Sequence, residues 1–116
     1  MEEPAVQNAG AATKANVKAT GGRVYGFRVT NANAAVRYFQ IHDKATAPAG
    51  TDVPVLWVLM PAGTAAAPSV TTIDQNLLHD SGLRTSTGVG WAISTTAGTF
   101  TDSATAADHT VTLYTN

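Results

Sequence analysis

GGRVYGFRVTNANAAVRYFQIHD, residues 21–43, is the most strongly patterned stretch of this 116-residue chain. Tyr25, Phe27 and Val29 alternate with Gly26, Arg28 and Thr30, the period-two signature of a strand with one buried face. Asn31-Ala32-Asn33-Ala34 interrupts the pattern. Asn tolerates the left-handed backbone of tight turns, so the interruption predicts a reversal. Phe39 and Ile41 then alternate with Tyr38, Gln40 and His42. The two runs together predict a β-hairpin at the centre of the core, packed with Trp57.

Outward from this stretch, residues 1–11 (MEEPAVQNAGA) have no period and carry Pro4 and Gly10, which predicts an extended arm that orders only on a partner. Ala15, Val17 and Ala19 mark a weak first strand, and residues 44–52 a loop. Residues 53–60, VPVLWVLM, are apolar on both parities and predict a central strand covered on both sides. Residues 61–68 form a small-residue loop, 70–76 a strand, and Leu77-Leu78 a cap on the core. In the strand at 89–95, Val89, Trp91 and Ile93 share one face, and Gly90, Ala92 and Ser94 the other. Residues 96–107 are a loop with an irregular strand near Phe100. Residues 109–115 close the chain with Val111 and Leu113 inward. About seven or eight short strands without a helical period predict an all-β protein: one β-sandwich or jelly-roll-like domain over 12–116, preceded by the arm at 1–11.

Composition narrows the function. The chain has no Cys, which removes disulfides and thiolate sites. Its net charge of -1, with only 13% charged residues, argues against a dedicated nucleic-acid binder. The longest apolar run is too short to span a bilayer, and residues 1–4 lack the basic start of a secretory signal. The expectation is a soluble protein made in a cytoplasm, whose small uncharged surfaces suit packing against other subunits.

Three His–Asp neighbours stand out: His42-Asp43, His79-Asp80 and Asp108-His109. Such pairs suit a general base or a metal ligand, but adjacent strand residues point to opposite faces. They read as ordinary strand-end residues whose removal changes little. No metal-ligand spacing appears, none of the five serines lies in a GxSxG elbow, and Thr87-Gly88-Val89-Gly90 is too short for a phosphate loop. The expected catalytic, cofactor and metal sets are therefore empty. Trp57 and Trp91 read as core residues; exposure of either would favour a carbohydrate-binding surface.

The motifs as a set are more specific than any one of them. They comprise residues 18–27 (KATGGRVYGF), Thr30-Asn31, residues 36–43 (VRYFQIHD), Gly50-Thr51 with Val53-Pro54, and Met60-Pro61-Ala62-Gly63. Gly82-Leu83, Gly88-Val89, Ala92-Ile93-Ser94 and Val111-Thr112-Leu113-Tyr114 complete the set. Over residues 14–116 it resembles small β-sandwich structural proteins of tailed-bacteriophage virions. The resemblance implies a non-enzymatic virion protein, with head decoration, tail or baseplate, and fibre-associated positions all compatible. The first expectation is a capsid decoration (cement) protein on the capsid surface, assembled in the host cytoplasm. It would be a homotrimer binding the major capsid protein, with no small-molecule substrate. Its expected interface combines the arm (Glu2, Glu3, Pro4, Val6) with the basic residues Lys14, Lys18, Arg23, Arg28 and Arg37.

Overall fold

A computed structural model describes residues 3–9, 12–73 and 82–115. The expected cap Leu77-Leu78 lies outside these residues, as do His79-Asp80 and Ser81. The described chain is all-β, with nine strands and one short 3-10 turn: β1 (Glu3–Ala9), β2 (Lys14–Lys18), β3 (Gly22–Asn31), β4 (Arg37–His42), β5 (Leu56–Met60), β6 (Ser69–Ile73), β7 (Leu83–Thr85), β8 (Val89–Ser94), the turn Ala106–Asp108, and β9 (His109–Thr115). They form two antiparallel sheets packed as a sandwich. The first runs β1-β9-β3-β6, with β7 beside the other half of β3, and the second runs β2-β8-β4-β5.

The strands at 21–43 are present, but they are not a hairpin. β3 bonds β9 on one side and β6 and β7 on the other, while β4 bonds β5 and β8. With both ladders of each strand taken, residues 32–36 carry the chain from one sheet to the other. The two asparagines build this corner. Buried Asn31 donates from Nδ2 to the carbonyls of Ala35 and Pro61 at 3.1 and 3.0 Å and accepts from the Asn33 N–H at 3.0 Å. Asn33 accepts from the Ala35 N–H and donates to the Asp108 carboxylate, both at 2.8 Å. Side-chain bonds of this kind satisfy a corner as readily as a tight turn.

The core lies between the sheets. Val24, Phe27, Val29, Val111 and Leu113 of the first meet Phe39, Ile41, Met60, Val89, Trp91 and Ile93 of the second. Val111 and Leu113 point inward as their alternation requires. A register shift against β9 between Val24 and Gly26 reverses the parity at the start of β3. Val24 is therefore buried and Tyr25, expected inward, is only half-buried.

Two further expectations are corrected. The strand buried on both faces is β8, in which every residue is buried. β5 is instead an edge strand, and Trp57 and Leu59 alternate outward on it. An apolar run on both parities fits either arrangement. Nor is the N-terminal segment a free arm: β1 pairs β9 from Glu3↔Thr115 to Ala9↔Thr110, placing it inside the sandwich domain. Pro4 is tolerated on this edge because the register shifts between Pro4 and Val6.

Residues 95–103 fold over the outer face of the second sheet. Gln40, buried on that face, donates to the carbonyls of Thr96, Ala97 and Thr99, each at 3.0 Å. Ser94 Oγ accepts the N–H groups of Thr96 and Thr101 at 3.1 and 2.9 Å. Phe100 is thereby held against the sheet, and its N–H and C=O bond Asp52 and Thr51 of the neighbouring loop.

Candidate functional site

Of the histidines that drew attention in the sequence, His42 and His109 are buried and serve the fold. The His42 ring meets Phe100 edge-on at 6.1 Å, and its Nε2 lies 2.9 Å from Gln40 Oε1. Because Gln40 Nε2 already donates to carbonyls, Oε1 accepts, and His42 carries its proton on Nε2. Burial lowers the His42 pKa, opposed in part by the Asp52 carboxylate and assisted by Lys44. The imidazole is therefore neutral near pH 7. His109, at the start of β9, is likewise buried and lowered, with Nε2 3.1 Å from Thr105 Oγ1. Neither is the exposed strand-end residue that its sequence context suggested.

Their aspartate neighbours have other tasks. Asp43 accepts the N–H groups of Ser86, Thr87 and Gly88 at 3.0, 2.7 and 3.1 Å, and the Ser86 hydroxyl at 3.1 Å. The Ser86 N–H leads the causes that hold its pKa below the ordinary carboxylate value. The carboxylate thus organises the turn between β7 and β8. Asp108 receives Asn33 at the corner. Among the described residues, no three His, Asp or Glu side chains gather where a metal ion would sit.

The expected interface residues disperse. Glu2 lies outside the described residues, and Glu3, Pro4 and Val6 belong to β1. Lys14 sits 5.6 Å over the Phe100 ring and 3.8 Å from the Asp102 carboxylate. Arg28 points outward from the first sheet, whereas Arg37 opens β4 in the second and donates to the Val36 carbonyl at 3.0 Å. The basic stretch that is continuous in sequence is divided by the corner at 32–36. Lys18 and Arg23 do come together, at a surface depression they share with Arg84, a residue not in the expected set.

The surface that sequence reasoning missed is on β5. Trp57 and Leu59 are 46% and 47% exposed, and Val53 and Val55, just before the strand, 70% and 49%. Val36, which leads into β4, is also exposed. Tyr38 supports the patch by meeting Trp57 edge-to-face, with ring centroids 5.6 Å apart. Among the described residues β5 bonds β4 on one side only, so its other row of N–H and C=O groups faces away from the sheet. Natural edges are blunted by charge, proline, brevity or bulges. β2 has Lys14, Lys18 and a register shift, β1 has Pro4 and a register shift, and β7 is three residues long with Arg84. β5, LWVLM, and β6, SVTTI, the far edge of the first sheet, carry none of these devices within their spans, but β5 exposes Trp57 and Leu59 where β6 exposes Val70 alone among its large apolar side chains. Trp91, by contrast, is buried.

No protein-family model, curated protein or solved structure matches the chain. Among the described residues no helix is long and apolar enough to cross a membrane.

Proposed function

We propose that this chain is a non-enzymatic structural protein of a tailed-bacteriophage virion. Within the virion it acts as a capsid decoration (cement) protein, a homotrimer that binds and stabilises the shell of the major capsid protein. The motif set over residues 14–116 supports the virion assignment. The observation that carries a docking role is the unblunted β5 edge with Trp57 and Leu59 directed outward. Both side chains are already about half buried, so completing the burial of each against a partner contributes about 1 kcal/mol. The open ladder of β5 adds directional main-chain bonds, as in strand-addition modes of recognition.

The proposed docking surface is therefore on the globular body, at the edge of the second sheet, instead of on the N-terminal segment. A tail, baseplate or fibre-associated position uses the same surface at a different copy number. Quantitative mass spectrometry of separated heads and tails distinguishes them: decoration requires capsid-scale copies in the head fraction, and tail-scale copies would reject it. The exposed Trp57 beside Tyr38 also favours a second reading, an aromatic platform for stacking a sugar ring. A glycan array with wild-type protein and Trp57→Ala tests it, since stacking requires binding that the substitution abolishes.

A further inference from the structure

Among the described residues, six large apolar side chains are exposed: Val36, Val53, Val55, Trp57, Leu59 and Val70. Five of them lie within residues 53–73, a stretch without a single Asp, Glu, Lys, Arg or His. Val36 precedes Arg37, the register partner of Met60 at the end of β5. The uncharged stretch comprises β5, residues 61–68 and β6. β5 ends the second sheet and β6 the first, and the two strands approach each other on that side of the sandwich. Trp57 and Leu59 point away from the second sheet and Val70 away from the first, so the stretch wraps the side from one outer face to the other.

Residues 61–68, which cross between the two sheets, are held in place. The Pro61 carbonyl accepts Asn31 Nδ2 at 3.0 Å and Ser69 Oγ at 2.5 Å. The Gly63 N–H donates to the Asn33 carbonyl at 2.9 Å, and Thr64 and Ala67 exchange backbone bonds at 3.2 Å. A Cβ on Gly63 would lie 2.6 Å from the Ser69 nitrogen and closer still to the Asn31 carbonyl oxygen, so only glycine lets the loop lie this near the end of β3. Pro61, Ala62 and residues 64–68 are exposed on it. The surface is thus formed before any partner arrives, which lowers the ordering cost of association.

We infer that the major capsid protein receives this whole side of the sandwich in an uncharged cleft, and that no ion pair crosses the contact. The inference rests on the docking role proposed for β5 and names the chemistry of the partner's surface. A charged partner group buried here would lose its water without meeting an opposite charge, which is costly. Apolar burial is the contribution that remains. The shell protein is the occupant because the stretch is continuous with the β5 edge that docks on it. A second copy of the chain, which offers an equally uncharged surface, is the competing outcome.

The test is sedimentation of the full chain with phage shells that lack it. Val70→Lys and Ala66→Lys each place a charge at an exposed position and should keep a thermal midpoint near wild type. Each should weaken shell binding about tenfold or more, the loss of one residue inside a well-packed contact. Thr87→Lys, exposed in the turn between β7 and β8, should leave binding unchanged. Wild-type affinity should change less than about threefold between about 0.05 and 0.5 M sodium chloride, because salt screens only charges. If Trp57→Ser with Leu59→Ser loses the shell while both lysine variants bind as wild type does, or if salt weakens wild type about tenfold, the inference falls and docking at β5 stands. If wild type does not bind, or the serine pair binds fully, both fall. Sedimentation velocity of the free chain covers the competing occupant: self-association that Val70→Lys abolishes would assign the surface to a second copy and overturn the inference. If Val70→Lys fails to fold, Ala66→Lys decides.

Discussion

Phe27 and Phe39 pack with ring centroids 4.8 Å apart at an angle of 47°, although they belong to different sheets. Only twelve positions separate them in the chain. The corner at 32–36 lets near neighbours in sequence become opposite halves of one core. Trp91 extends the cluster, with its ring 6.3 Å from that of Phe39.

Phe39→Ala should therefore destabilise the protein by about 3–5 kcal/mol, because it opens a cavity between two sheets that cannot both close over it. A denaturant titration measures the loss. A value below about 1 kcal/mol would mean that the ring is not enclosed.

Asp43→Asn should cost about 1–3 kcal/mol, since the amide replaces an acceptor of four hydrogen bonds with a group that also donates. The pH dependence has a definite sign. Asp43 has a folded pKa below 3.8, so its contribution is complete above that value and is lost as pH falls through the folded pKa. Acid titration of wild type and Asp43→Asn should converge at low pH. Parallel curves would show that the carboxylate contributes nothing to the turn.

Burial of His42 and His109 as neutral rings predicts the opposite end of a similar experiment. Both folded pKa values lie below 6.5, so the unfolded chain takes up protons first as pH falls. Stability is complete above about pH 6.5 and declines as pH falls below it toward the folded values. The thermal midpoint should drop between about pH 7 and 5, and the drop should shrink in His42→Gln. A flat midpoint across that range would contradict burial of the rings. His42→Ala, which the sequence suggested would be silent, should cost about 1–3 kcal/mol by leaving Gln40 Oε1 without its donor.

Deleting residues 1–9 removes β1 and leaves the outer ladder of β9 without its partner. A loss of about 2 kcal/mol lowers the thermal midpoint of a domain this size by roughly 10 °C. An unchanged midpoint would return the segment to the status of a free arm.

How much of this was legible can be stated residue by residue. Alternation placed Phe27, Val29, Phe39, Ile41, Val111 and Leu113 inward, because period two reports which face a side chain takes. It does not report which strand lies alongside, and so the partners of β3 and β4 were misread. Asn31 and Asn33 use the same short-range bonds in a corner as in a hairpin. Residues 53–60 looked central because apolar residues on both parities serve an interface as well as a doubly covered strand. Arg84 was invisible as a neighbour of Arg23 because β3–β7 pairing alone brings the two together. His42 and Asp43 drew attention as neighbours, yet their side chains engage different partners.

The docking role of β5 is tested most directly by sedimenting the purified chain with capsid shells of the same phage that lack it. The wild type should co-sediment and saturate at a fixed ratio to the major capsid protein. Trp57→Ser combined with Leu59→Ser should keep a thermal midpoint close to wild type, since both side chains are about half exposed, and should lose most of the binding. A folded double variant that decorates shells as fully as the wild type, or a wild type that stays in the supernatant, would contradict the proposal.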